Sequence, residues 1–256
     1  MKRLFLVLAL FFSASLLAQA QTAVPIPQEP HHHLVLENEY VRVFRVSVPP
    51  HESTLLHQHD APYLYVALGA ADVINAVQGR PEVRLVMADG QLGYSPGHFA
   101  HIARNNLDTP FDNVTIELLH PQGEAHNLCE KIVEGPLNVK NCSSTQPVGS
   151  VRVKALSDFY WQNRLFETDD ILAVFASLTT KIIDTAAGAR RARLLVAYDR
   201  AELRIDLPGG TSTLLHGGEI LWLSPGRIAS ISNLAEHGTS RYLVISFKDK
   251  EDTKKP

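Results

Sequence analysis

GQLGYSPGHFAHIARN (90–105), read together with HQHDAPY (57–63), decides the fold. In the second stretch His57 and His59 stand at i and i+2, which on an extended strand puts both imidazoles on one face. The first stretch brings His101 behind a Pro96-Gly97 turn, on a later strand. Three imidazoles from two strands of one small β-barrel make a mononuclear metal site with open coordination positions.

The surrounding chain reads as short strands. YVRVFRVSV (40–48) alternates apolar and polar residues and stops at Pro49-Pro50, which cannot continue a central strand. YLYVALG (63–69), ADVINAV (71–77) and EVRLVMADG (82–90) follow with glycine-containing breaks, and NVTIELLH (113–120) closes the series. Strands this short and this regularly spaced predict an all-β sandwich or barrel.

The second half repeats the first. LLVAYDRAEL (194–203) lies over LYVALGAADV (64–73) at an offset of 130, and SPGRIASISNL (224–234) lies over SPGHFAHIARNNL (95–107) at 129 with two residues deleted. RYLVISF (241–247) matches NVTIELL (113–119) in pattern. A duplication at this scale means two copies of one domain. At these offsets His57 and His59 fall on Ala187 and Ala189, Tyr63 on Arg193 and His101 on Ser230, so the second copy reads as metal-free.

On these residues the chain resembles the cupin superfamily, and specifically a two-domain bicupin. The family's first motif, G-x5-H-x-H-x3,4-E-x6-G, is matched by His51-x5-His57-x-His59-x3-Tyr63, with Gly69 one place early. The second, G-x5-P-x-G-x2-H-x3-N, is matched by Gly90, Pro96, His101 and Asn105, with its later glycine moved to Gly97. The resemblance implies two tandem double-stranded β-helix (jelly-roll) barrels with a metal near the centre of the first. It also implies a strand-end role for Asn105 and a possible homodimer. The family's carboxylate ligand is replaced by Tyr63, for which three roles stay open: phenolate ligand, hydrogen-bond donor to substrate, or filler. A three-His set without the carboxylate resembles that of some cupin dioxygenases, notably the thiol dioxygenases. It also leaves a site that suits an anionic chelating substrate.

The expected organisation is a signal peptide at 1–20, an extended lead-in at 21–33 and a metal-binding domain at 34–121. A linker at 122–160 and a degenerate second domain at 161–250 complete it. Met1-Lys2-Arg3, the apolar run Leu4–Leu17 and Ala18-Gln19-Ala20 form the export pattern, and no second apolar stretch of spanning length follows. The location this implies is periplasmic or secreted. In such a compartment Cys129 and Cys142, the only two cysteines, are expected to pair, contributing about 3 kcal/mol. A short helix is expected around 155–163. His31-His32-His33 reads as a disordered arm, with metal scavenging as the alternative, and His98 as an exposed turn residue, with fourth ligand or proton carrier as its alternatives.

A net charge of −3 gives no reason to expect nucleic acid as a partner. No P-loop, dinucleotide fingerprint, G-x-S-x-G elbow or HExxH is present. Neutral imidazoles suit one divalent ion of Fe, Mn, Zn, Ni or Cu. The expected function is metal-dependent chemistry of a dioxygenase or isomerase type on a small anionic molecule, with Tyr63 orienting it or donating a proton. The alternative is a non-catalytic small-molecule or metal-binding protein.

Overall fold

The computed structural model describes residues 22–128, 132–134, 140–142, 160–179, 181–183, 190–198, 200–227, 229–236 and 238–248. The expected signal peptide, Cys129 of the expected disulfide, and Ala187 and Ala189 lie outside these residues.

The first half contains β1 (Val24–Pro25), a single 3-10 turn at Ile26–Gln28, β2 (His32–Glu37), β3 (Val41–Val48), β4 (His57–His59), β5 (Tyr63–Ala67), β6 (Ala71–Val77), β7 (Val83–Met87), β8 (Leu92–Ser95), β9 (Phe99–Asn105) and β10 (Phe111–Leu118). They form two five-stranded sheets, ordered β1-β4-β9-β6-β7 and β2-β3-β10-β5-β8. Alternation drives the first sheet: along β6 every second side chain is buried. The inward faces meet over Phe44, Val46, Val73, Met87 and Phe111, each burial stabilising by roughly 1.5–3 kcal/mol.

The second sheet departs from alternation because it is buried on both faces. Most of β10 is buried, with only Asp112 partly exposed. Its outer face packs on the second half, where Val41, Leu64, Ile116 and Leu118 share one apolar cluster with Leu165, Ile171, Phe175 and Ile245. Tyr94 stacks on Phe166 at 4.8 Å across this seam, and the Arg241 guanidinium pairs with Asp89.

Beyond β11 (His126–Asn127) and a hairpin of β12 (Ile132–Glu134) with β13 (Lys140–Cys142), the second half comprises β14 (Tyr160–Glu167), β15 (Ile171–Leu178), β16 (Lys181–Ile183), β17 (Arg193–Ala197), β18 (Glu202–Asp206), β19 (Ser212–His216), β20 (Ile220–Leu223), β21 (Ser230–Asn233) and β22 (Ser240–Phe247). The order β14-β15-β22-β17-β20 repeats β2-β3-β10-β5-β8, and β16-β21-β18-β19 repeats β4-β9-β6-β7. The protein is all-β, with no helix beyond the one 3-10 turn among the described residues.

Three expectations are corrected. The predicted helix around 155–163 is not formed where the chain is described, because Tyr160 opens β14, which pairs with β15. The His-rich arm is ordered: His32 begins β2 and pairs with Val46, so the barrel begins before residue 34. The constant offset also fails near the site. In the ladder matching His57↔His101, Ser230 stands opposite Ile183, four residues before Ala187.

The Pro96-Gly97 turn has a steric reason. Gly97 has φ +72, and a Cβ there would lie 2.1 Å from the Ala61 carbonyl oxygen, so only glycine allows this approach. Asn105 closes the far end of β9. Its Nδ2 donates to the carbonyls of Val48, Pro49 and Thr109 at 3.1, 3.2 and 2.8 Å.

Candidate metal centre

His57 and His59 lie two apart on β4 and are 1% and 2% exposed. The antiparallel pairing of β4 with β9 sets His101 opposite His57. Ring centroids are 4.5 Å apart for His57 and His101, 5.0 Å for His57 and His59, and 5.1 Å for His59 and His101.

Outer hydrogen bonds fix the rings. His57 Nδ1 donates to the Leu55 carbonyl at 2.9 Å, leaving its lone pair on Nε2, a buried atom with no hydrogen-bond partner. His101 Nδ1 donates to Asn75 Oδ1 at 2.6 Å, leaving its lone pair on Nε2 as well. That atom faces His59 Nε2 at 3.2 Å. Two nitrogens each about 2.1 Å from one ion adopt a separation of this size. The other nitrogen of His59 is buried and unpartnered. An orphaned buried acceptor such as His57 Nε2 is costly without a cation to face, and the donor set fits a borderline divalent ion.

A fourth imidazole, His32, lies beside His57 and His59 in a group of candidate ligand atoms that does not include His101; the sequence reading did not place it among the ligands. The candidate ligand nitrogens of His32, His57 and His59 all lie within 4.8 Å of one another. The His32 ring centroid is 4.6 Å from that of His57 and 6.3 Å from that of His59. His32 Nδ1 donates to Glu29 Oε2 at 2.5 Å. The same carboxylate accepts from the backbone of His31 at 2.9 Å and of Leu55 at 3.1 Å. Burial alone would raise the Glu29 carboxyl, but these bonds and the charge of His32 hold it below the usual range.

Burial first, and then neighbouring imidazole charge, lowers His57 to about 4. The same two causes put His59 and His101 well below their ordinary value. All three are therefore neutral near pH 7, the form that binds metal.

Tyr63 reaches the cluster from the opposite sheet. Counting by twos from His59 placed it on the same strand face, but the chain turns at residues 60–62 and Tyr63 opens β5. Its ring stacks on His59 at 4.2 Å and 22°. Burial strongly raises its hydroxyl, which shares a hydrogen bond with Ser95. The side chain is a neutral phenol. His98 is exposed, has φ 61, and its backbone N–H donates to the His59 carbonyl at 2.6 Å. His51 is likewise exposed and pairs with Asp108.

The rings open on a cavity of about 80 Å³, room for several waters or one small molecule. Hydroxyl and amide side chains, among them Tyr63, Tyr65, Asn75, Tyr94 and Asn113, supply its other polar groups, and among the described residues no Lys, Arg, Asp or Glu lines it. No second group of three or more metal-ligating side chains is found among the described residues.

No protein-family model matches the sequence, and none of the curated proteins compared with it matches either. Solved structures do match. A protein described as glyoxylate-induced, from Pseudomonas aeruginosa, superposes with a TM-score of 0.61 at 13% identity, over 86% of this chain and 82% of that one. A cupin 2 conserved barrel domain protein from Leptotrichia buccalis gives 0.53 at 10% identity, over 85% and 88%. Salicylate 1,2-dioxygenase from Pseudoaminobacter salicylatoxidans gives 0.51 at 12%, over 81% and 68%. At these identities the likeness is one of fold.

Proposed function

We propose that this chain, which has the fold of the cupin superfamily, holds one divalent transition metal on His57, His59 and His101 and acts on a small anionic molecule. One observation carries the reading: His57 and His101, whose Nδ1 atoms are tied down, both turn Nε2 toward a common space. His57 Nε2 is unpartnered, and His101 Nε2 stands 3.2 Å from His59 Nε2.

The charge balance supports an anion. Neutral ligands leave the ion's two positive charges at most partly offset by Glu29, and no acidic side chain lines the cavity. A small anion that chelates the ion would neutralise it in a poorly solvated space. When bound, the ion supplies Lewis-acid activation, or oxygen chemistry if it is iron. The protein's own part is to exclude water with an apolar wall and to orient the substrate. Tyr63 keeps its proton because it is buried, so it donates a hydrogen bond to the substrate rather than ligating. A dioxygenase of a small aromatic anion among the structural neighbours agrees with the oxygenase branch.

The lack of any carboxylate or amine in the cavity wall favours a second reading, a non-catalytic receptor for the same class of molecule. The remainder of the proposal rests on sequence pattern alone: export to the periplasm or exterior, a metal-free second domain at 161–250, and a homodimer by family resemblance.

Protein purified without chelator or imidazole and loaded with Fe(II) or Zn(II) tests the reading. Oxygen consumption with thiols, diketones and hydroxy acids supports the oxygenase. Ligand-dependent melting shifts without turnover support the receptor. Failure to retain any metal removes both.

A further inference from the structure

Resting on that reading, we infer that His32 is a fourth ligand of the same ion, delivered by the N-terminal segment and oriented by Glu29. Four observations converge on it.

The first is position. β2 belongs to the same sheet as β5, so His32 approaches β4 from the side on which Tyr63 stands. It is 8% exposed, and its candidate nitrogen lies within 4.8 Å of those of His57 and His59.

The second is the tautomer. A carboxylate only accepts, so the 2.5 Å contact with Glu29 Oε2 puts a proton on His32 Nδ1, and in the neutral ring, the form that binds metal, the lone pair is then on Nε2. Carboxylate, histidine and ion in that order is the arrangement that makes an imidazole a better ligand.

The third is charge. The Glu29 carboxylate is 2% exposed, and among the described residues its ion-pair partner is His32 alone. A buried anion without Lys or Arg is unfavourable unless a cation stands close by. An ion held one imidazole away supplies that cation.

The fourth is linkage. Glu29 Oε1 accepts from Leu55 N–H at 3.1 Å, and the Leu55 carbonyl accepts from His57 Nδ1 at 2.9 Å. One carboxylate therefore positions two imidazoles, one directly and one through the backbone of a single residue, Leu55. The segment that carries it is sewn to the site by parallel pairing of Val24 with His57. The ion thus closes the N-terminal segment onto the barrel, and Glu29 is a positioning residue rather than a ligand.

Metal alone is the probe. Zn(II) affinity is measured by competition with a chromophoric chelator on full-length protein, beside the visible spectrum of the Co(II) form. His32→Gln is expected to keep one site but weaken it more than about 100-fold, beyond the range of an outer partner, with a changed Co(II) spectrum. Glu29→Gln is expected to weaken it about 10–100-fold with the wild-type spectrum. In His32→Gly, free imidazole should restore affinity. In the wild type, needing no variant, zinc should slow hydrogen exchange across residues 24–37. Unchanged affinity and spectrum in His32→Gln, or no slowing at 24–37, overturns the inference while His57→Ala still loses the ion. A wild type that binds no zinc, or a His57→Ala that binds it as tightly, overturns the underlying reading as well.

Discussion

His59 Nε2 and His101 Nε2 face each other at 3.2 Å. With His101 Nδ1 donating to Asn75, both inner atoms can present lone pairs only if the His59 proton sits on Nδ1. Without an ion, His59 Nε2–H donates to His101; with one, both nitrogens turn to the metal.

Asn75 is therefore expected to matter for metal binding without being a ligand. Asn75→Leu removes the acceptor for His101 Nδ1 and frees the ring. Metal affinity should fall about 10–100-fold, measured by chelator competition. Wild-type affinity would mean that this hydrogen bond does not orient the ring.

The metal-free protein should lose stability in mild acid. Folded, His57 titrates at about 4 against an ordinary 6.5, and His59 and His101 lie well below that ordinary value. Unfolded, each titrates near 6.5. Through that window the unfolded chain binds more protons, so stability rises with pH. Urea midpoints should drop from about pH 7 to about pH 5, and His57→Gln should flatten that slope. An equal slope in the variant would contradict the assignment.

Tyr63→Phe keeps the ring that stacks on His59 and removes only the hydroxyl. Metal affinity should stay within about twofold of wild type. Once a substrate is in hand, turnover should fall about 10²–10⁴-fold if the hydroxyl moves a proton. Loss of metal in this variant would instead make the oxygen a ligand.

Gly97→Ala should destabilise the protein by more than about 1 kcal/mol. The position has positive φ, and a Cβ would strike the Ala61 carbonyl oxygen. Equilibrium urea unfolding checks this, and a neutral substitution would mean the turn has another conformation.

Much of this was legible beforehand, for local reasons. ADVINAV shows strand alternation directly. The i, i+2 spacing of His57 and His59 fixes their shared face, and the Pro96-Gly97 turn returns the chain so that His101 meets His57. What failed depended on tertiary context. A run of three histidines carries no signal as to which one turns inward, and the partner that holds His32, Glu29, becomes meaningful only once the 3-10 turn brings them together. Counting by twos to Tyr63 assumed one continuous strand, whereas the chain changes sheet after His59. The offset argument assumed equal loops, and the register of Ser230 against Ile183 shows that they differ.

Metal content after loading with excess Zn(II) and exhaustive dialysis bears on the whole account. One ion per chain is expected in the wild type and in Ser230→Ala, and none in His57→Ala. A wild type well below one ion, or equal losses in the two variants, would contradict a single metal centre in the first half of the chain.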